Sequence, residues 1–459
     1  MKQMILKSGI LLCCVLLLEA CSNAESTTNS FPETQSAVIH QSTDPVIPES
    51  ESFLNMKMAL PSTGIFGGEL SGNDDGAYCL LPNTQDYSAR LLYYDYATQQ
   101  LIFLSNQMVV TNDEENPGWI EDTFGGACPI AANGKLYVVK YGKSPIPSIN
   151  YEGSPSFLLQ MEPNAANRKM LTVPQGCLFQ YNTGIAADGN DLYLLMTDYD
   201  AAAMQITDVS LCRAEFDANR FNRLCSFGVD KNTAIIGVCP DGIIIQRSWL
   251  SAEYANSDRQ EQLSHLQYTL ECYSLSQNKL FDTHFSWSQG ELSFVLGRGI
   301  VYYTKMGDVR LYSHDLQTGE EKILKNNLLD VIPSHNDTKV FLTGEIFDDH
   351  ITFLVSDGEL SNYYSYSLLT QEILPLSLTF EYEGGNLPVW ISAENTEYFM
   401  VNNGFTNLHC SATGTDGTYY TFDSVMTRYA LIKKKDYWNS IPNYIFFDDT
   451  LLQSNDLLQ

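Results

Sequence analysis

The chain has 459 residues, of which 26 are basic and 55 acidic, for a formal net charge of −29. Such a surface repels phosphates and anionic headgroups, which argues against nucleic acid as a partner and fits solubility outside the cell. With 44% hydrophobic and 12% aromatic residues, the chain can bury one large core or two ordinary ones.

Residues 1–20 have the form of a secretory signal peptide: Lys2 and Lys7 precede or flank the start of the apolar run Ser8–Leu18, and Leu18-Glu19-Ala20-Cys21 closes it. The small residue before Cys21 resembles a bacterial lipobox, which implies cleavage before Cys21 and lipid on its thiol. Glu19 departs from the small or hydroxylated residue usual there. An ordinary signal cut after Ala20 and a short membrane anchor are the competing readings, although the apolar core falls short of the ~20 residues a span requires. The expectation is an extracytoplasmic lipoprotein anchored to the cell membrane through Cys21. Residues 21–52 are rich in Ser, Thr, Asn, Gln, Glu and Pro and lack apolar periodicity, the composition of a flexible linker. Residues 53–459 are left for the folded part.

From about Gly64 onward helical periodicity disappears and short β-type runs alternate with Gly, Asp, Asn and Pro turns. Seven runs look equivalent: Ala77–Leu81, Leu136–Lys140, Leu192–Met196, Ile243–Gln246, Ile300–Thr304, Ile351–Val355 and Tyr398–Val401. They recur at roughly 50 residues, the period of an array of small sheets. Hairpins follow them, with a recurrent pattern of strand, aromatic-x-(Asp/Ser)-x, polar turn, strand. Examples are Leu91–Tyr96 before Leu101–Leu104, Leu311–Asp315 before Lys322–Leu324, and Tyr364–Leu368 before Ile373–Leu376. Four strands per unit predict an all-β fold, a β-propeller with most simply seven blades, six and eight remaining open. A β-sandwich gives regular strands but no repeated outer hairpin. The repeat, with the ending Tyr437-Trp438-Asn439-Ser440-Ile441-Pro442-Asn443-Tyr444, resembles the propeller-type lipoproteins of Gram-positive bacteria, a TolB-like group. That resemblance implies the fold and leaves the function open.

Eight cysteines remain after Cys13, Cys14 and Cys21, with no C-x-x-C pair and no Cys/His spacing for zinc, so no metal or cofactor is expected. If Asp217–Arg220 is a hairpin turn and Phe216 faces Phe221, the same register sets Cys212 opposite Cys225, near enough for a strained, labile disulfide. No G-x-S-x-G, no H-E-x-x-H and no calcium loop occurs, and 55 acidic residues single out no catalytic pair. The paired Asp348-Asp349 and Asp448-Asp449 read as turn residues.

In a propeller, loops between the second and third strands share a face with the connections between blades. The insertions Lys143–Ser156, Asp198–Asp208, Ser248–Gln267 and Asn402–Gly417 fall in the first class and carry Tyr151, Tyr199 and Tyr254. Connections of the second class bring Trp119, Trp287 and Trp390, and Trp249 opens one of the insertions. Long loops on a rigid scaffold are where binding residues concentrate. The sequence therefore points to a non-enzymatic binding or scaffold module for a glycan, peptide or envelope protein, its ligand touching Trp119, Trp249, Trp287, Trp390, Tyr151, Tyr199 or Tyr254. The alternatives are a cell-surface enzyme acting on glycans or peptides in the propeller channel and a structural subunit of an envelope complex.

Overall fold

The computed structural model describes residues 56–453 apart from 63–69, 83–87, 105–115, 122, 124–125, 143–154, 182, 201, 204, 333–337, 358–360 and 414–418. The side chains of 408–413, 419–420, 422–424 and 452–453 are likewise outside the description. The signal segment, Cys21, the 21–52 linker and Tyr151 lie outside the described residues.

The chain is a seven-bladed β-propeller. Blade 1 is Leu70–Gly72, Gly76–Pro82, Ala89–Asp95 and Gln100–Phe103; blade 2 is Ala127–Ala132, Lys135–Lys140, Phe157–Met161 and Lys169–Thr172. Blade 3 is Ile185–Ala187, Leu192–Asp200, Gln205–Glu215 and Arg220–Ser226; blade 4 is Asn232–Cys239, Gly242–Leu250, Leu266–Ser274 and Lys279–Ser288. Blade 5 is Leu292–Leu296, Ile300–Lys305, Leu311–Asp315 and Glu321–Lys325; blade 6 is Lys339–Phe347, His350–Ser356, Ser361–Ser367 and Ile373–Leu376. Blade 7 is Ile391–Glu394, Tyr398–Thr413, Tyr419–Lys433 and Tyr444–Phe446. Each of the seven equivalent runs in the sequence is the second strand of a blade.

Those strands are predominantly apolar because a blade packs on both faces. Along Leu192–Met196 the side chains alternate with the strand period of two. Leu192, Leu194 and Met196 enter a cluster shared with blade 2, while Tyr193 and Leu195 enter one shared with blade 4. The described residues form seven such apolar clusters, one at each junction between neighbouring blades. Burial between blades is thus the main stabilising term, since backbone pairing is satisfied within each sheet.

The outer hairpins repeat because their turn chemistry repeats. Asp95 Oδ1 accepts from the amides of Ala97 and Thr98, and Asp315 Oδ1 from those of Gln317 and Thr318. Ser274 and Ser367 do the same more sparingly, accepting from Gln277 N and Thr370 N. Each turn then needs one left-handed residue, supplied by Gln99 (φ 59°), Asn278 (φ 50°), Gly319 (φ 72°) and Gln371 (φ 60°). The Asp/Ser of the sequence motif is therefore a turn cap.

The ring closes without a strand shared between its ends. Residues of blades 1 and 7 make one cluster, with Tyr94, Leu92 and Leu101 against Met400, Leu431 and Phe447. Asp448 pairs in parallel with Gln100, its N–H donating to Gln99 O (2.9 Å) and its carbonyl accepting from Leu101 N (3.2 Å). Gly72 lies so near that a Cβ there would stand 2.8 Å from Ala393 Cβ.

Three features were not foreseen. Lys57–Leu60 pairs with Ile185–Ala187 and covers the first-strand edge of blade 3. Thr379–Tyr382 and Gly385–Pro388 form a separate hairpin in the connection between blades 6 and 7. Residues Leu250–Leu266 belong to a second compact unit. Within it, Asp258 caps the helix Arg259–Ser264 by accepting from Glu261 N, and Tyr254 stacks on His265 with ring centroids 3.7 Å apart.

Candidate functional site

The junction of blades 6 and 7 differs from the other six. Blade 6 gives its cluster only half-buried residues such as Phe347 and Leu376, and the 379–388 hairpin supplies Phe380 instead. With direct blade-to-blade packing displaced, a cavity of about 190 Å³ remains, walled by Thr343, Glu345, Thr352, Tyr363, Trp390 and Tyr437 among others.

A bulge places its one carboxylate. The first strand of blade 6 is in register at Thr343↔Thr352 and again at Phe347↔His350, leaving three residues against one short stretch of partner. Gly344 takes the left-handed conformation this demands, at φ 71°, and Glu345 is pushed out of the ladder. Protein atoms around the Glu345 carboxyl desolvate it, and the charge of Glu394 acts in the same direction, so its pKa lies above the usual 4.5. More than a third of the residue is accessible all the same. Water reaches it through the cavity mouth, and the shift is a bias, not a lock. Glu394 has its own cation, Lys434 Nζ at 2.7 Å, whereas Glu345 makes no ion pair among the described residues.

Trp390 forms the rim. Its backbone is held by Asn402, whose Oδ1 accepts from Trp390 N (2.7 Å) and whose N–H donates to Trp390 O (3.2 Å). Trp390 is 45% exposed, and Phe380 stands T-shaped to its ring with centroids 6.4 Å apart. A fixed, exposed indole beside an uncompensated carboxyl can stack on a ring or methylene chain while the carboxyl meets a cation or hydroxyls.

Glu345 also gives a testable pH dependence. Being raised, it binds more protons folded than unfolded, so its contribution to stability falls as pH rises from about the unfolded value through the folded one. Glu345→Gln should therefore melt slightly higher than the parent near neutral pH and equally below about pH 4. Thermal melts across pH check this; parallel curves would show that the carboxyl is not strained.

A larger cavity, about 550 Å³, lies between the hairpin turns of blades 2 and 3. Its charges already satisfy one another: Lys135 with Glu162 (2.7 Å), Lys169 with Asp217 (3.0 Å), and Arg213 with Glu215 and Asp191. Arg213, then Arg220, hold the Glu215 carboxyl below its usual range. We favour the smaller cavity because its carboxylate has no such partner.

The other aromatic candidates do not converge on Trp390. Trp119 is half-buried beside Arg90 in blade 1, its enclosed Nε1 without a hydrogen-bond partner among the described residues. Trp249 carries Lys231 Nζ 4.2 Å from its ring centroid. Trp287 is 8% exposed in the junction of blades 4 and 5, stacked on Tyr268 at 5.2 Å. Tyr199 is half-buried in blade 3, its amide donating to Gly176 O (2.7 Å). Tyr254 is in the 250–266 unit. Trp249 and Trp287 lie near the ends of the second and fourth strands of blade 4, Trp390 precedes the first strand of blade 7, and Trp119 pairs with the third strand of blade 1.

The expected pairing of Cys212 with Cys225 is corrected by the register. The turn begins one residue earlier, at Glu215↔Arg220, and a bulge follows between Leu211 and Cys212. Leu211 thus faces Cys225, and Cys212 faces Arg223. Cys212 is buried in the cluster toward blade 2, while Cys225 packs against the cluster toward blade 4, on the opposite face of the sheet. Glu345 was missed in the sequence, where Gly344 inside an apolar strand was its one signal. Among the described residues no group of three or more His, Cys, Asp or Glu is placed to hold a metal ion.

No protein-family model and no curated protein matches the chain. Solved structures similar to it include TolB from Acinetobacter baumannii, at 11% identity over 66% of this chain and 64% of that one, with a TM-score of 0.31. An oligogalacturonate lyase in complex with manganese is similar at 10% identity over 75% of this chain and 83% of the lyase, TM-score 0.37. A puromycin-hydrolyzing peptidase of Mycobacterium tuberculosis is similar at 10% identity over 85% of this chain and 55% of the peptidase, TM-score 0.45. The chain spans less than two thirds of the length of TolB and of the peptidase.

Proposed function

We propose that this chain is a surface-tethered, non-enzymatic binding propeller, exported by residues 1–20, anchored by lipid on Cys21 and held off the membrane by residues 21–52. The observation that carries the binding reading is the exposed Trp390 lining one cavity with the Glu345 carboxyl, which makes no ion pair among the described residues. The ligand is a glycan or peptide segment that offers a ring or methylene chain next to a cationic or hydroxyl-rich group. Glu394, the neighbouring carboxylate, is engaged by Lys434 and is not free to complete an acid–base pair, which favours binding over hydrolysis. A cationic ligand selects ionised Glu345, so its affinity rises with pH through the raised pKa and then levels off.

Residues 53–459 screened on glycan and peptide arrays test the reading. Retention should be lost with Trp390→Ala, and for cationic ligands weakened with Glu345→Gln; ligands held equally by parent and both variants bind elsewhere and overturn it. The anchor has its own test. Radiolabelled palmitate should enter the full chain in a bacterial host and not Cys21→Ser, and equal labelling of the two would refute lipidation at Cys21.

A further inference from the structure

Gly242 is the second-strand residue that lets the first turn of blade 4 lie against the third strand. A Cβ there would meet Tyr273 O at 2.1 Å, a contact no side chain permits. The turn is then pinned by Asp241. Its carbonyl accepts from Leu275 N (2.8 Å), and its carboxylate accepts from Ser276 N (3.2 Å), Ser276 Oγ (2.7 Å) and Ser274 Oγ. The consequence is that Cys239, last residue of the first strand, reaches across to Cys272 on the third, with the sulfurs 3.1 Å apart. Both are half-buried, and Pro240 beside them is exposed.

We infer that Cys239 and Cys272 are a redox-active dithiol that takes a low-molecular-weight disulfide as its oxidant. The two sulfurs share a hydrogen bond in which either can donate, and this contact with the amides of Asp241 and Gly242 holds the Cys239 thiol below its usual range against the opposing effect of burial. The same contact, together with burial, pushes the Cys272 thiol up. Cys239, at the end of its strand beside exposed Pro240, is the more accessible side of the pair and is assigned as the attacking sulfur. Its thiolate displaces one thiolate from the oxidant and forms a mixed disulfide. Cys272 loses its proton, attacks Cys239 Sγ and expels the second. Two protein thiols and one disulfide thereby become one protein disulfide and two small thiols, with no electron or proton unassigned. The bond closes a loop of sequence separation 33 within blade 4. Nothing in this depends on the ligand-binding reading.

The test uses the full folded chain and oxidised glutathione, followed by alkylation and peptide mapping. The expected result is a Cys239–Cys272 link, neither residue alkylated, and full reversal by dithiothreitol. Cys272→Ser should stop at a mixed disulfide of Cys239 with glutathione, while Cys239→Ser should leave Cys272 open to alkylation. Circular dichroism reports whether these variants fold, and the parent digest decides the question if they do not. If both cysteines of the treated parent remain alkylatable, or either is joined to a different cysteine, the inference falls.

Discussion

Replacing Phe447 by alanine should lower the unfolding free energy by about 3–5 kcal/mol, the range for a large aromatic side chain removed from a packed core. Phe447 is 8% exposed and lies edge-on to Tyr94 at 5.0 Å and near Tyr96 at 6.3 Å, at the junction where blade 7 meets blade 1. Every other junction joins blades consecutive in the chain, whereas this one joins its two ends, so its side-chain contacts and the Asp448–Gln100 bridge must also offset a larger loop-closure entropy. The adjacent Phe446 is an internal control. It is 54% exposed with Arg428 over its ring, so Phe446→Ala should change stability by less than about 0.5 kcal/mol. Urea denaturation of both variants measures the contrast. Equal losses would mean that closure does not depend on this contact.

The second strands were legible in the sequence because burial on both faces leaves an uninterrupted apolar run, as at Leu192–Met196. The hairpins were legible because Asp95, Asp315, Ser274 and Ser367 cap their turns with side chains that a sequence displays. First strands were harder to see. Leu70–Gly72 and Ile185–Ala187 are three residues long, too short for any periodicity to register. The two cysteine arguments show the limit most clearly. A turn one residue early sets Cys212 opposite Arg223, and a bulge between Leu211 and Cys212 then puts Cys225 opposite Leu211 on the other face; neither leaves much trace in a strand pattern. Cys239 and Cys272 meet because Gly242 removes a side chain between them, a relation that spans three strands. The cavity at Trp390 was legible only in half. Its indole stood out as a tryptophan next to a loop, but Glu345 depends on a bulge at Gly344 and on a hairpin that wedges two blades apart.

Trp287 and Trp390 should respond to the same substitution in opposite ways. Trp287→Ala removes a ring that stacks on Tyr268 and meets Phe294 edge-on at 5.1 Å, and should cost about 3–5 kcal/mol of stability. Trp390→Ala removes the ring of a residue that is 45% exposed, while Asn402 still holds the backbone. Its stability cost should stay below about 1 kcal/mol. Its effect on binding should be the larger one. An aromatic hot-spot residue is worth about 2 kcal/mol or more, and each 1.4 kcal/mol is about tenfold, so a ligand found on the arrays should bind roughly 30-fold more weakly. Trp287→Ala, where it still folds at the temperature of the assay, should retain the parent's affinity, because its ring lies two junctions away from the cavity. Paired titrations and denaturation curves on the two variants distinguish the cases. If Trp390→Ala loses as much stability as Trp287→Ala and keeps the parent's affinity, its indole is a packing residue of the blade 6–7 junction, and the cavity is not where the ligand binds.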